Sequence, residues 1–203
     1  VAGAERSATL ACHVIVNRSP GALDLDTRTS APGRVVPRRE ASFLLLANEH
    51  LDRAYRLARA ILRDTVEAQD ATHDAFVQAW RKWETLRDPD RFEPWFERIL
   101  VNTCRNRLRA RRWHATDISS EVALVAADHA RDAENRQLIG VAIASLSPDH
   151  QIVVALRFYR DLTVADIAAR LGVPAGTVQS RLHYALKRLQ AALDPADADG
   201  SDR

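Results

Sequence analysis

The sequence predicts an all-α protein made of two small helical domains joined by a flexible linker. Three observations carry that expectation. Apolar residues recur at three- and four-residue steps over two separate stretches, and nowhere do they alternate as in a strand. A stretch rich in Ser, Asp, Ala and His, with no sustained period, separates the two. Finally, helix-start signals (Asp64 with Glu67, Ser147-Pro148, Thr163 with Asp166) stand where each periodic run begins.

Residues 1–40 mix Pro20, Gly21, Pro32, Gly33 and Pro37 with scattered charge and read as a flexible leader. The chain opens on Val and has no Met, as a GTG start codon translated literally would give, with Val35 or Val36 as alternative starts. The apolar patch Ala8 to Val16 is interrupted by His13 and preceded by Glu5, unlike a signal-peptide core. No run approaches the roughly 20 apolar residues that span a bilayer.

The first domain, residues 41–112, holds three expected helices. Phe43, Leu46/Ala47, Leu51, Ala54/Tyr55, Ala58 and Ile61/Leu62 form the apolar stripe of the first. The second opens at Asp64 and runs to about Lys82, burying Ala71, Ala75/Phe76, Ala79/Trp80 and Trp83, with Asp70, His73 and Asp74 on the opposite face. After a turn around Asp88-Pro89-Asp90, Pro94 suits a first helical position. Trp95/Phe96, Ile99/Leu100, Thr103 and Leu108 then continue a third helix to about Arg112. Residues 113–133 are the expected linker; fully extended, they would span about 70 Å at about 3.3 Å each.

In the second domain, residues 134–193, Leu138, Val141/Ala142 and Leu146 resume the helical period. Ser147-Pro148 leads Ile152/Val153, Leu156 and Phe158/Tyr159, and Thr163 with Asp166 leads Ile167, Ala168 and Leu171. Gly172-Val173-Pro174 stops that helix after barely two turns, and a longer basic one follows. A short helix, a Gly-bearing turn and a longer basic helix form the helix-turn-helix pattern. In the last helix Val178, Leu182, Ala185/Leu186, Leu189 and Leu193 are expected in the core. Thr177, Gln179, Ser180, Arg181, His183, Tyr184, Lys187 and Arg188 are left for the wet face. Arg pairs bidentately with guanine, Gln with adenine, and Ser or Thr with base edges or phosphates. Residues 194–203 form an acidic tail.

The net charge of +2 hides local concentration: Arg105, Arg107, Arg109, Arg111 and Arg112 crowd eight residues. Such a patch alone is a solvated face or a generic phosphate binder. Trp95 and Phe96 are expected in the core and Trp113 at the surface. Enzyme chemistry finds little support. The His residues are dispersed, Cys104 has no activating base nearby in sequence, and no Gly-rich phosphate loop is present. Cys12 and Cys104 lie far apart without metal-ligand spacing, so no metal, cofactor or disulfide is expected and a reducing cytoplasm is the natural setting.

The run LSPDHQIVVALRFYRDLTVADIAARLGVPAGTVQSRLHYALKRL resembles region 4 of bacterial RNA polymerase sigma factors of the sigma-70 type, and most of all the extracytoplasmic-function (ECF) subfamily. AQDATHDAFVQAWRKW, followed by FEPWFERILVNTCRNRLRARR, resembles region 2 of the same family. The likeness covers about residues 41–193, with two motifs in the right order across a linker.

The resemblance implies that region 2 docks on the β′ clamp helices of core RNA polymerase through Asp70, His73 and Asp74, and that region 4 meets the β flap. The family more often has Gln where His73 stands. It implies that Asn102 and Asn106 capture unpaired −10 bases, with Arg105, Arg109 and Arg112 on the backbone; an amide suits base-edge reading. It implies that region 4 reads duplex −35 DNA through the wet-face residues named above. Gln179 and Tyr184 stand where basic residues are common, which lowers the charge and points to a different −35 preference. An anti-sigma factor is a further partner of the kind the family uses. Two alternatives stay open from the sequence: a free-standing dimeric helix-turn-helix regulator, and a partner-sequestering protein of the same fold.

Overall fold

The computed structural model describes residues 38–117 and 130–193; residues 1–37 of the expected leader, the middle of the expected linker and the acidic tail lie outside them. Among the described residues there are seven α-helices: α1 Arg38–Leu62, α2 Thr65–Arg81, α3 Phe92–Asp117, α4 Ala130–Ser145, α5 Pro148–Val154, α6 Val164–Leu171 and α7 Ala175–Leu193. Among the described residues there is no strand, and the all-α expectation holds. No described helix is long and apolar enough to cross a membrane. The described chain divides into two compact units: residues 38–59 with 64–103, and residues 60–63 with 104–117 and 130–193.

The first unit is held by aromatic packing. Phe43 of α1 meets Trp80 at 5.1 Å and Trp83 at 5.4 Å between ring centroids, both edge-on. Phe76 of α2 stacks on Phe96 of α3 at 4.3 Å, and Phe92 stacks on Phe96 at 5.5 Å. Ala47, Ala54, Ala58, Ala68, Ala71, Ala75 and Ala79 are buried beside them. Small residues at these steps let helices approach closely while the rings fill the space between. At the start of α2 the Asp64 carboxylate accepts the Glu67 N–H at 2.8 Å, satisfying one of the free N-terminal donors. Arg53 and Glu93 form an ion pair at 2.6 Å, and the Glu93 carboxylate raises the Arg53 pKa above its usual value.

Four boundaries differ from the sequence reading. Helix α1 begins at Arg38, inside the expected leader, rather than at about Ala41. Helix α3 begins at Phe92 rather than Pro94, because a 3₁₀ turn over Pro89–Arg91 runs straight into it. Pro94 is tolerated there, since first-turn N–H groups lack intrahelical partners anyway. At the other end α3 continues to Asp117 and α4 starts at Ala130, both inside the expected linker. Residues 113–117 and 130–133 contain no Pro or Gly to stop a helix.

In the second unit the last turn of α1 (Ile61, Leu62) and the second half of α3 (Cys104, Leu108) are buried. So are Ala142 and Leu146 of α4, Ile152, Val153 and Val154 of α5, Ile167 of α6, and Val178, Leu182 and Ala185 of α7. Helix α7 packs on α4, α5 and α6. Several expected core positions are instead wet: Leu138 and Val141 in α4, Phe158 and Tyr159, and Leu186 and Leu193 in α7. For Phe158 and Tyr159 the cause is a π-helical turn over Ala155–Tyr159, where the Arg160 N–H reaches back to the Ala155 carbonyl at 3.3 Å. The extra residue rotates both rings off the apolar stripe. Asp161, at φ 52°, then ends the segment, and Leu162 N–H closes on the Leu156 carbonyl at 3.2 Å.

Candidate nucleic-acid interface

The path to α7 is built from local signals. Thr163 and Asp166 make a reciprocal capping box: the Asp166 N–H donates to the Thr163 hydroxyl, and the Asp166 carboxylate accepts the Thr163 N–H and hydroxyl. Those bonds hold the Asp166 carboxyl below its ordinary pKa of 3.8. Gly172 sits in the left-handed region at φ 66°, a conformation costly to residues with a Cβ, so α6 stops there. Two residues on, the Pro174 carbonyl accepts the N–H groups of Thr177 and Val178 at 3.0 and 3.3 Å and starts α7.

Helix α7 turns Val178, Leu182 and Ala185 inward, with Leu189 half-buried against Leu146 and Val154. At 100° per residue, Gly176, Gln179, Ser180, His183 and Lys187 share the opposite face, and all are exposed. Tyr184 and Arg188, also exposed, flank one side of that face, while Thr177 is half-buried. The His183 and Tyr184 rings meet edge-on at 5.8 Å.

Arg181 behaves differently. It lies on the edge of α7 toward α5, its side chain is only 23% exposed, and its Nη2 donates to Asp149 Oδ2 at 3.1 Å. Asp149 is the second residue of α5, a helix fixed at its start by the Ser147 side chain accepting the His150 N–H. Burial, followed by the charge of Arg181, lowers the His150 pKa below 6.5.

The expected −10 residues lie on α3. Asn102 and Asn106 are exposed and one helical turn apart. Arg105 and Arg109 also reach Asp149, with Arg105 Nε 2.9 Å from Oδ1 and Arg109 Nη2 3.8 Å from Oδ2. The closer pair is an ion pair whose atoms are not aligned as a hydrogen bond. Arg112 Nη2 donates to the carbonyls of Leu146 at 2.7 Å and Ser145 at 3.3 Å, so it caps the end of α4 in this conformation. Trp113 is exposed, as expected. Burial pushes the Cys104 thiol up to about 12, which keeps it protonated and unreactive. On α2, Asp70 and Asp74 are exposed and His73 is half-buried on one face.

The structure therefore gathers Gln179, Ser180, His183 and Lys187 on one free face and draws Arg105, Arg109 and Arg181 to one carboxylate. Sequence reasoning missed Asp149 and Gln151. Gln151 is buried and donates to the carbonyls of Leu146 at 2.8 Å and Ala144 at 3.2 Å, stitching α5 to the end of α4. A Ser-Pro-Asp helix start flags an acidic first turn but says nothing of an arginine 32 positions away.

The sigma-70 region 2 model matches residues 46–114 and the sigma-70 region 4 model matches residues 142–191. The chain is 32% identical over 148 residues to the RNA polymerase sigma-E factor of Streptomyces coelicolor, covering 73% of this chain and 84% of that protein. It is 32% identical over 153 residues to the ECF RNA polymerase sigma factor SigL of Mycobacterium tuberculosis, covering 73% and 86%. In fold it is similar to the sigma factor RpoE of Bartonella quintana, solved with the anti-sigma factor NepR. The TM-score is 0.57 and the identity 24%, covering 78% of this chain and 98% of that one. Two region models in order, and relatives matched over most of their length, lead to one conclusion: the chain belongs to the ECF subfamily of sigma-70-type RNA polymerase sigma factors.

Proposed function

We propose that the chain directs core RNA polymerase to promoters by reading a duplex −35 element with α7 and an unpaired −10 strand with the exposed side of α3. The observation that carries this is the free face of α7. Gln179, Ser180, His183 and Lys187 project from a helix whose opposite side is buried on three supporting helices. Thr177, Tyr184 and Arg188 border that face and reach backbone phosphates or neighbouring bases. A narrow helix presented in this way enters the major groove, and its amide, hydroxyl and imidazole groups suit base edges.

Asn102 and Asn106 supply amides for flipped bases, with Arg105, Arg109 and Arg112 exchanging their internal partners for phosphates on the open complex. Asp70, His73 and Asp74 form the face offered to the β′ clamp helices, and the second unit meets the β flap. The protein catalyses nothing itself and works in the cytoplasm. An anti-sigma factor holds it in check, a reading supported by RpoE of Bartonella quintana, which was solved in complex with the anti-sigma factor NepR.

Run-off transcription with purified core polymerase is the test. Product from a specific start that appears only when this chain is added supports the reading. No product from any promoter of the source genome sinks it. A free-standing regulator would bind a palindromic operator as a dimer and add no promoter-specific transcript to core polymerase, and a sequestering protein would neither bind a duplex nor yield a transcript.

A further inference from the structure

We infer that Arg181 is a positioning residue of the recognition helix, acting through Asp149 rather than touching DNA. The inference rests on the proposal that α7 reads duplex −35 DNA, and it reverses the role that the resemblance to region 4 implies for this arginine.

Three observations carry it. First, Arg181 lies outside the exposed face: 100° per residue places it about 140° from Gly176, whereas Gln179, Ser180, His183 and Lys187 fall within about 60° of Gly176. Second, its side chain and that of Asp149 are 23% and 26% exposed, and their hydrogen bond at 3.1 Å is charge-assisted. Reaching a base edge would mean breaking that bond as well, and on the open complex, where Arg105 and Arg109 turn from Asp149 to phosphates, it would leave a half-buried carboxylate with none of its three arginines. Third, the far end of the bond is anchored. Asp149 follows the Ser147 cap and Pro148, and Gln151 ties the same turn to the carbonyl end of α4.

Arg181 thus fastens the second turn of α7 to a fixed point on α5. That fastening sets the depth and tilt at which Gln179, Ser180 and His183 meet a groove. Base contacts are directional, so a small loss of pose should reduce discrimination between sequences more than it reduces general attraction to phosphate.

The test uses the full chain and a duplex selected by the wild-type protein from a random pool, with a scrambled duplex as the non-specific partner. Binding is measured across a salt series, at temperatures where circular dichroism shows each variant fully folded. Arg181→Gln is expected to lose about tenfold on the selected duplex, to keep its affinity for the scrambled one, and to leave the salt dependence unchanged. Lys187→Gln, on the exposed face, is the contrast: it should weaken both duplexes alike and reduce the slope of log K against log salt by about one.

Asp149→Asn should lower the selected-to-scrambled ratio as well, while raising scrambled-duplex affinity because one negative charge is gone. Adding Arg181→Gln to it should lower the ratio no further. Where Arg181→Gln melts too early to measure, Arg181→Lys keeps the charge but loses the planar fork, and the same fall in ratio is expected. A smaller salt slope for Arg181→Gln, an equal loss on both duplexes, or additive effects with Asp149→Asn would overturn the inference. Should the wild-type chain select no duplex at all, the reading of α7 itself fails, and that is seen before any variant is made.

Discussion

In the first unit the described aromatics face inward: Phe43, Phe76, Phe92 and Phe96 are buried, and Tyr55, Trp80, Trp83 and Trp95 are half-buried. In the second unit Trp113, Phe158, Tyr159 and Tyr184 are all exposed, and the core is Leu146, Ile152, Val153, Leu156, Ile167, Val178 and Leu182. The helices differ in the same sense. Helices α1 and α2 have 25 and 17 residues, whereas the second unit adds to α4 and α7, of 16 and 19 residues, two very short helices, α5 and α6, of 7 and 8. A long helix spreads the cost of its free ends over many turns. A two-turn helix in water is unstable on propensity alone. It persists through packing and through explicit satisfaction of its end groups. The first unit therefore depends on bulk and the second on fine local chemistry: caps, a left-handed glycine, a π turn and a buried glutamine.

The sharpest way to break this contrast is to remove bulk where it matters most. Phe92 touches Phe43, Trp83, Trp95 and Phe96, with ring centroids 5.5–6.3 Å apart. Phe92→Ala should cost about 3–5 kcal/mol, read as a fall in denaturant midpoint followed by tryptophan fluorescence. A loss below about 2 kcal/mol would mean that the ring cluster is not what holds the first unit. In the second unit Ile167 is the fully buried anchor of α6. Ile167→Ala should cost about 3 kcal/mol and, because α6 supports α7, reduce duplex binding together with stability. Unchanged duplex binding at ordinary laboratory temperature would show that α7 does not need α6 beneath it.

Caps should matter less than core residues but more than their size suggests. Ser147→Ala removes the acceptor for the His150 N–H at the start of a 7-residue helix, at a cost of about 1 kcal/mol. The effect should appear as faster amide exchange in α5, with α2 unchanged. Equal acceleration in both helices would indicate global unfolding and count against a local role for the cap.

Periodicity made the helices legible because each has at least one strongly apolar face, and the caps were legible because Ser147, Thr163 and Asp166 act over three residues. The exposed face of α7 was legible for the same reason: it is the complement of Val178, Leu182 and Ala185. Sequence patterns failed where the outcome depends on partners distant in the chain. Leu193 continues the apolar stripe of α7 beyond Leu189, the last position packed on the core, and Leu186 lies at the stripe's edge, about 80° from Val178. Phe158 and Tyr159 were misplaced because a single extra residue in a π turn rotates everything after it, and nothing local announces the turn. The helical wheel already sets Arg181 at the edge of the exposed face, but only the position of Asp149 in the fold shows what it pairs with. The internal partner of Arg112 was not legible either, because the carbonyl end of α4 that it caps lies more than thirty residues ahead.

The smallest expected effect tests how local the second unit's stability is. Asp166 titrates below its ordinary 3.8 because the Thr163 hydroxyl and N–H donate to its charged form. A carboxyl whose folded pKa is depressed contributes stability that is fully present above its unfolded pKa and is lost as the pH falls through the folded value. Between about pH 5 and 8 the capping box should therefore be indifferent to pH; below about 4 it should weaken as the carboxylate takes up its proton. Asp166 is fully solvated, so the effect should be confined to α6 and read by amide exchange in its first turn. Asp166→Asn should speed that exchange at neutral pH, and the gap from wild type should close as acid protonates the wild-type carboxyl. A gap that stays constant down to about pH 2 would mean that the Thr163 hydroxyl alone holds the helix start. In that case the second unit would depend on hydrogen-bond geometry without its charge, and the contrast with the first unit would rest on caps and shape alone.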